Sequence, residues 1–250
     1  SGEGWQIEPG QIGDARVLFI AFYAQMREVA DPDRMRAPWF FGDAPFPTDR
    51  GSVDVTLVTA ESGTGGFTTS SSEPYPSVVA RLTRLDDGRL RALAIASNGE
   101  TSQGLLERAV PSATHPLAGV WTHPEIEGEG LFVQASRGTD GPAIVLGWYG
   151  YCPTLAGTPD ACQQRPHWLA GFGPVVDGEA EVDLYETVGS EFGVLQDASL
   201  SQTNARGHAT LTLVDDDHAR FVYRDGDTAP IEVTLTRSAQ FDSVGVEAKH

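Results

Sequence analysis

Glu129, Glu181 and Asp183 are the carboxylates best spaced for paired acid–base work, which glycoside hydrolysis needs at about 5–10 Å. Glu181 and Asp183 alternate with Val182 and Leu184 along Ala180–Glu186. A strand there would turn both acids to its wet face, where charge is expected without any catalytic role. Glu129 lies between Gly128 and Gly130, and the same Gly-Glu-Gly recurs around Glu3. His115, His123 and Glu125 are close in sequence, but His115 precedes the domain that His123 belongs to, which argues against a shared metal. Asp215-Asp216-Asp217 lacks the glycine and the distal bidentate Glu of a calcium loop and reads as a solvated hairpin turn. There is no Gly-x-Ser-x-Gly, His-Glu-x-x-His or Gly-x-x-x-x-Gly-Lys motif. Gly128-x-Gly130 carries Val133 where a dinucleotide motif needs its third glycine, and it leads into a strand. No catalytic residue, metal or cofactor is expected.

Aromatic side chains are the stronger binding candidates. Trp148, Tyr149, Tyr151, Trp168 and Phe172, with His167 beside them, fall on two segments predicted to be neighbouring strands. Trp39 and Tyr23 are their counterparts earlier in the chain. Such residues build a hydrophobic core or line an apolar or stacking pocket. Between the two segments lie Cys152 and Cys162, separated by nine turn-rich residues. A disulfide across so short a loop is expected, and it suits an oxidising compartment.

The elements that must position these side chains come in two sets. Gly2–Ile7 returns as Gly128–Val133, and Ala15–Tyr23 as Ala143–Tyr151. Trp39 returns as Trp168, Gly51–Leu57 as Gly178–Leu184, Ala80–Asp87 as Ala209–Asp216, and Arg108 as Arg237. The order is kept and the offsets lie between 126 and 129 residues. A tandem of two related domains is the reading. Residues 1–110 form the first, 117–238 the second, and 239–250 a C-terminal tail.

Both sets read as β. Alternation along Ala180–Glu186 and Ile231–Arg237 gives one buried and one wet face, whereas Val17–Tyr23 and Val145–Tyr151 are apolar enough to be covered on both. Turn signals such as Asp177-Gly178 separate them. About eight strands in the second set predict an all-β fold of two tandem antiparallel up-and-down barrels, with β-sandwiches as the alternative. Acidic residues number 35 against 17 basic, for a net charge of −18. That disfavours nucleic acid and anionic membranes. No apolar run is long enough for a membrane helix.

Gly119-x-Trp121, Pro124, Gly128-Glu129-Gly130, Trp148–Tyr151, Trp168 with Gly171, Phe192-Gly193 and Arg237 resemble a domain repeated in secreted and cell-envelope bacterial proteins. The resemblance spans most of residues 117–237. It implies a β-architecture and an extracytoplasmic location, secreted, periplasmic or on the cell surface. Gly-x-Trp on a first strand with Arg on a last strand also resembles the calycins, the lipocalin and avidin type of barrel. That similarity implies Arg237 packed over Trp121 as a cation–π pair.

The first set starts after the point where its own Gly-x-Trp strand belongs, so its first strand is expected to be missing. Ser1 in place of an initiator Met predicts a processed or truncated chain, and Phe241–Glu247 is one candidate to supply the strand. The combined reading is a non-catalytic binding or adhesion module for a small molecule, carbohydrate or protein. The alternatives are a structural subunit that self-associates through the open edge of the first domain, and a hydrolase using Glu129.

Overall fold

The computed structural model describes residues 4–12, 14–24, 26–27, 35–36, 39–45, 51–60, 67–68, 77–85, 89–106, 115–126, 129–151, 166–188 and 202–241. All its regular structure is β. The first half contributes β1 (Gly4–Ile12), β2 (Ala15–Tyr23), the short β3 (Met26–Arg27) and β4 (Met35–Arg36), and β5 (Trp39–Pro45). It continues with β6 (Ser52–Leu57), the short β7 (Thr59–Ala60) and β8 (Phe67–Thr68), β9 (Val78–Arg84), β10 (Leu90–Ala96) and β11 (Thr101–Leu106). The second half contributes β12 (Gly119–Thr122), β13 (Gly130–Arg137), β14 (Pro142–Tyr151) and β15 (Pro166–Val176). It ends with β16 (Glu179–Val188), β17 (Gln202–Leu213), β18 (His218–Arg224) and β19 (Ile231–Phe241).

Strands β12 to β19 pair in sequence order, and β12 also pairs with β19, which closes an eight-stranded antiparallel barrel. Local chemistry explains the hairpins. Asp177 (φ 52°) and Gly178 (φ 84°) are both left-handed, as a two-residue turn between twisted strands demands. They fix the opposition of Val176 and Glu179. Along β16, Ala180, Val182 and Leu184 point inward and are buried, while Glu181, Asp183 and Tyr185 are exposed. The barrel interior is filled by side chains such as Trp121, Ile144, Leu211 and Phe221.

The barrel's sheet does not stop at its closure. The eleven residues of β19 outrun the seven of β18, and their end pairs with β1 at Gly10↔Phe241 and Gln11↔Gln240. Strands β2 and β5 extend that sheet. Strands β6, β9, β10 and β11 form a second sheet, and among the described residues the isolated Phe41↔Val58 bridge joins it to β5. Among the described residues the first half therefore contributes to two larger sheets and does not close a barrel of its own. Its strands wrap one core containing Ile20, Phe22, Phe40, Leu57, Leu82 and Ala94. Its sheet runs on from the second half because β19 has a free edge beyond β18.

Ladder pairs recur between the halves. Gly4↔Tyr23 matches Gly130↔Tyr149, and Tyr23↔Trp39 matches Tyr149↔Trp168. Val55↔Ala80 matches Val182↔Ala209, and Leu82↔Ala92 matches Leu211↔Phe221. Tyr23 thus holds the place of Tyr149, two residues from the Tyr151 that end-to-end alignment of the apolar segments gives it. Between β2 and β5 the short strands β3 and β4 pair antiparallel, Met26 with Arg36 and Arg27 with Met35.

Candidate functional site

The apolar run of β2 has a structural cause. Leu18, Ile20 and Phe22 face the first core, while Val17, Phe19 and Ala21 face a third cluster shared by both halves. In that cluster Trp39 packs tilted against Tyr149 at 5.3 Å between ring centroids, and Tyr23 tilted against Trp168 at 4.2 Å. Phe132 contacts Phe241 at 4.6 Å and Phe41 edge-on at 6.4 Å. Trp39 and Trp168 are each 3 % exposed. The predicted aromatic platform is in large part an internal seam.

Polar groups stitch the same seam. The Tyr149 hydroxyl donates to Gln6 Oε1. Gln6 Nε2 donates to Gln134 Oε1 at 3.4 Å, and Gln134 Nε2 donates to Glu8 Oε1 at 2.7 Å. A Cβ on Gly147 would lie 2.4 Å from Gln6 Oε1, so the bare glycine makes room for this crossing. Burial, with Tyr23 nearby, pushes the Tyr149 hydroxyl well above 10 and keeps it a neutral donor. Trp39 Nε1 donates to the Gly150 carbonyl at 3.4 Å. Trp168 Nε1 is buried with no partner among the described residues.

At the barrel end a cavity of about 220 Å³ opens between β2 and β5 on one side and β12, β13 and β19 on the other. Phe19, Trp39, Phe41, Val120, Leu131 and Phe132 supply apolar wall, and Asp43, Thr122, Ser238 and Glu129 the polar points. Glu129 sits in the turn before β13, with its backbone N–H donating to the Ile126 carbonyl at 3.2 Å and its own carbonyl accepting from His123 N–H at 2.8 Å. Trp148 Nε1 donates to Glu129 Oε1 at 3.2 Å. Burial raises the Glu129 carboxyl above its ordinary 4.5, and the Trp148 hydrogen bond partly offsets that rise.

The sequence-predicted residues separate into different surroundings. Tyr149 and Trp39 line the cavity, and Tyr23 and Trp168 pack in the seam behind it. Trp148 turns the other way and meets Phe221 and Tyr223 edge-on inside the barrel. Phe172 is 47 % exposed on the outer wall, away from both. The side chains of Tyr151 and His167 lie outside the described residues, as do Cys152 and Cys162. Arg237 Cζ stands 4.1 Å from the Trp121 ring centroid. The Arg237 guanidinium also donates to the carbonyls of Ala118, Pro116 and Asp216 at 3.0, 2.7 and 2.6 Å.

Other candidate chemistry resolves into turns. His123 Nδ1 accepts from Glu125 N and Ile126 N, both at 3.0 Å, and His115 Nδ1 accepts from Leu117 N at 3.2 Å. Asp215 Oδ1 accepts from Asp217 N at 2.9 Å and contacts His218 Nδ1 at 2.8 Å. Glu181 and Asp183 are exposed on the outer wall, where Asp183 pairs with His208 at 3.1 Å. Among the described residues no three His, Cys, Asp or Glu side chains gather as a metal site.

Sequence reasoning missed Gln6, Gln134, Asp43 and Phe132 as site residues. Gln6 and Phe132 occupy one ladder place in the two halves, and a polar residue at an apolar position was the available signal. No helix among the described residues is long and apolar enough to cross a membrane. No family model, curated protein or solved structure matches the chain.

Proposed function

We propose that the chain is a duplicated β-domain acting outside the cytoplasm as a non-catalytic binding module. In this reading a small ligand enters the cavity between the barrel end and β2–β5. The observation that carries it is an aromatic-walled cavity with one raised-pKa carboxyl, Glu129, in its lining. Its 220 Å³ lies below the roughly 300–1,000 Å³ of drug-sized sites, yet apolar cavities of about 150 Å³ hold benzene. A single ring or a short alkyl chain fits. Glu129 favours a hydrogen-bond donor or a cation at one end, and the net charge of −18 draws cations by steering.

The matching ladder registers support the duplication. The location rests on the sequence resemblance and on the spacing of Cys152 and Cys162. Among the described residues, a hydrolase built on Glu129 would take its second acid from Asp43, which lines the same cavity, because Glu181 and Asp183 stand outside it.

Calorimetric melting with indole, benzylammonium and benzoate tests the binding reading. At ten times Kd a ligand adds about 1.4 kcal/mol, a rise of roughly 3–6 °C for a chain of this size. Indole and benzylammonium should raise Tm and benzoate should not. Val120→Trp, which fills the cavity, should abolish the rise. Absence of any shift at millimolar probe, or a shift that Val120→Trp leaves intact, would refute the site.

A further inference from the structure

The hydroxyl and indole donors in the described lining of the cavity are already engaged by the protein. Trp39 Nε1 donates to the Gly150 carbonyl at 3.4 Å, and Trp121 Nε1 to the Leu117 carbonyl at 2.9 Å. The Tyr149 hydroxyl donates to Gln6 Oε1. Thr122 Oγ1 donates to the Thr236 carbonyl at 3.3 Å, so the 2.8 Å contact between the Thr122 and Ser238 hydroxyls uses the Ser238 proton.

The acceptors are in a different position. Glu129 Oε1 accepts from Trp148 Nε1 at 3.2 Å, whereas Glu129 Oε2 and the Asp43 carboxylate have no protein donor among the described residues. No Lys, Arg or His belongs to the described lining. A ligand must therefore bring its own donors and, facing two acids, positive charge. An ammonium supplies both, as a compact cation with three N–H donors.

The two acids stand at different ends of the cavity. A Cβ on Gly150 would lie 3.1 Å from Glu129 Cδ, and the Gly150 carbonyl receives the Trp39 indole, which puts Glu129 at the Trp39 end. Along β5, Trp39, Phe41 and Asp43 alternate onto the cavity, while Phe40 and Ala44 enter the first core. Asp43 is thus displaced from Trp39 by roughly 13 Å of strand. Between the ends, Phe41 and Phe132 meet edge-on and keep the wall apolar. The order along the slot is acid, hydrocarbon, acid.

We propose that the cavity takes a straight-chain alkane with an ammonium group at each end. One ammonium pairs with Glu129 and the other with Asp43, and the methylenes lie against Phe41 and Phe132. This assignment rests on the reading of the cavity as the ligand site. Burial of the chain supplies affinity, and the spacing of the acids supplies specificity.

Titration calorimetry of hexamethylenediamine, hexylamine and ethylenediamine with the full chain tests this, at physiological ionic strength so that distant charges are screened. Hexylamine keeps the chain with one charge, and ethylenediamine keeps both charges without the span. Hexamethylenediamine should bind about threefold tighter than hexylamine, since the Asp43 end is exposed, and tighter still than ethylenediamine. Asp43→Asn should erase the advantage over hexylamine. Glu129→Gln should weaken both long amines by about tenfold. Glu181→Gln removes the same charge from the outer wall and should change neither. Equal binding of hexylamine and hexamethylenediamine, or of the two diamines, would overturn the assignment. The cavity reading would outlive that result if indole still binds and Val120→Trp abolishes its binding. Failure of indole and all three amines to bind would bring down both. Asp43→Asn alters an exposed side chain, so it decides the matter even if Glu129→Gln or Val120→Trp does not fold.

Discussion

Replacing Tyr149 by Phe isolates the polar stitch between the two halves. Tyr149 is 5 % and Gln6 4 % exposed, and their side chains are hydrogen-bonded across 143 residues of sequence. Deleting the hydroxyl removes one hydrogen bond and leaves Gln6 Oε1 buried without that donor. An orphaned buried acceptor costs about 1–3 kcal/mol. For a chain of this length that corresponds to a Tm lower by roughly 2–12 °C. Gln6→Leu alone strands the Tyr149 hydroxyl and should cost a similar amount.

The double variant should be much less damaged than the two single losses combined, because neither the Tyr149 hydroxyl nor Gln6 Oε1 is then left orphaned, and only the longer 3.4 Å bond to the partly buried Gln134 Oε1 is lost besides. Urea unfolding of the four proteins gives the coupling, expected at about 1–3 kcal/mol. Both halves should unfold in one transition, since Gln6 and Tyr149 belong to opposite halves and share a buried seam. Additivity within about 0.5 kcal/mol would refute the claim that this bond is made in solution. Two separate transitions, with only one moved by each variant, would refute the shared seam.

Glu129 gives a pH-dependent expectation. Its folded pKa is raised, so the native state holds that proton more tightly than the unfolded chain does. The stability this contributes is complete below the ordinary carboxylate value and is lost as pH rises through the raised value. Glu129→Gln should therefore gain Tm relative to the parent as pH rises above 4.5, read by calorimetry across a pH series; a constant difference would contradict the burial of the carboxyl. Gly173→Ala should cost about 1–3 kcal/mol in urea unfolding, because its Cβ would lie 1.8 Å from the Glu181 carbonyl; a neutral result would refute the close approach of β15 and β16 there. Arg237→Lys should lower Tm nearly as much as Arg237→Gln. A point-charge ammonium cannot fork to three carbonyls from a position over the Trp121 ring, so rescue by Lys would show that charge alone matters.

Period-two alternation determined much of this protein locally. Val182 and Leu184 inward with Glu181 and Asp183 outward follows from side chains alternating on a pleated strand, and Asp177-Gly178 marks its own hairpin. The repeated order of segments was also legible, as was the two-sided cover of Val17–Tyr23. What covers the second side of β2 was not. Periodicity says that a face is apolar, and any apolar face of similar shape could meet it. Only the tertiary structure set Trp39 on Tyr149 and Tyr23 on Trp168, across more than a hundred residues. It likewise partly buried Glu129, whose short motif reads the same whether the turn is wet or enclosed. Finally, it let β19 serve two neighbours, closing the barrel on β12 and opening into the first half through β1. A strand's sequence records its faces, while its edges are open to whichever backbone arrives.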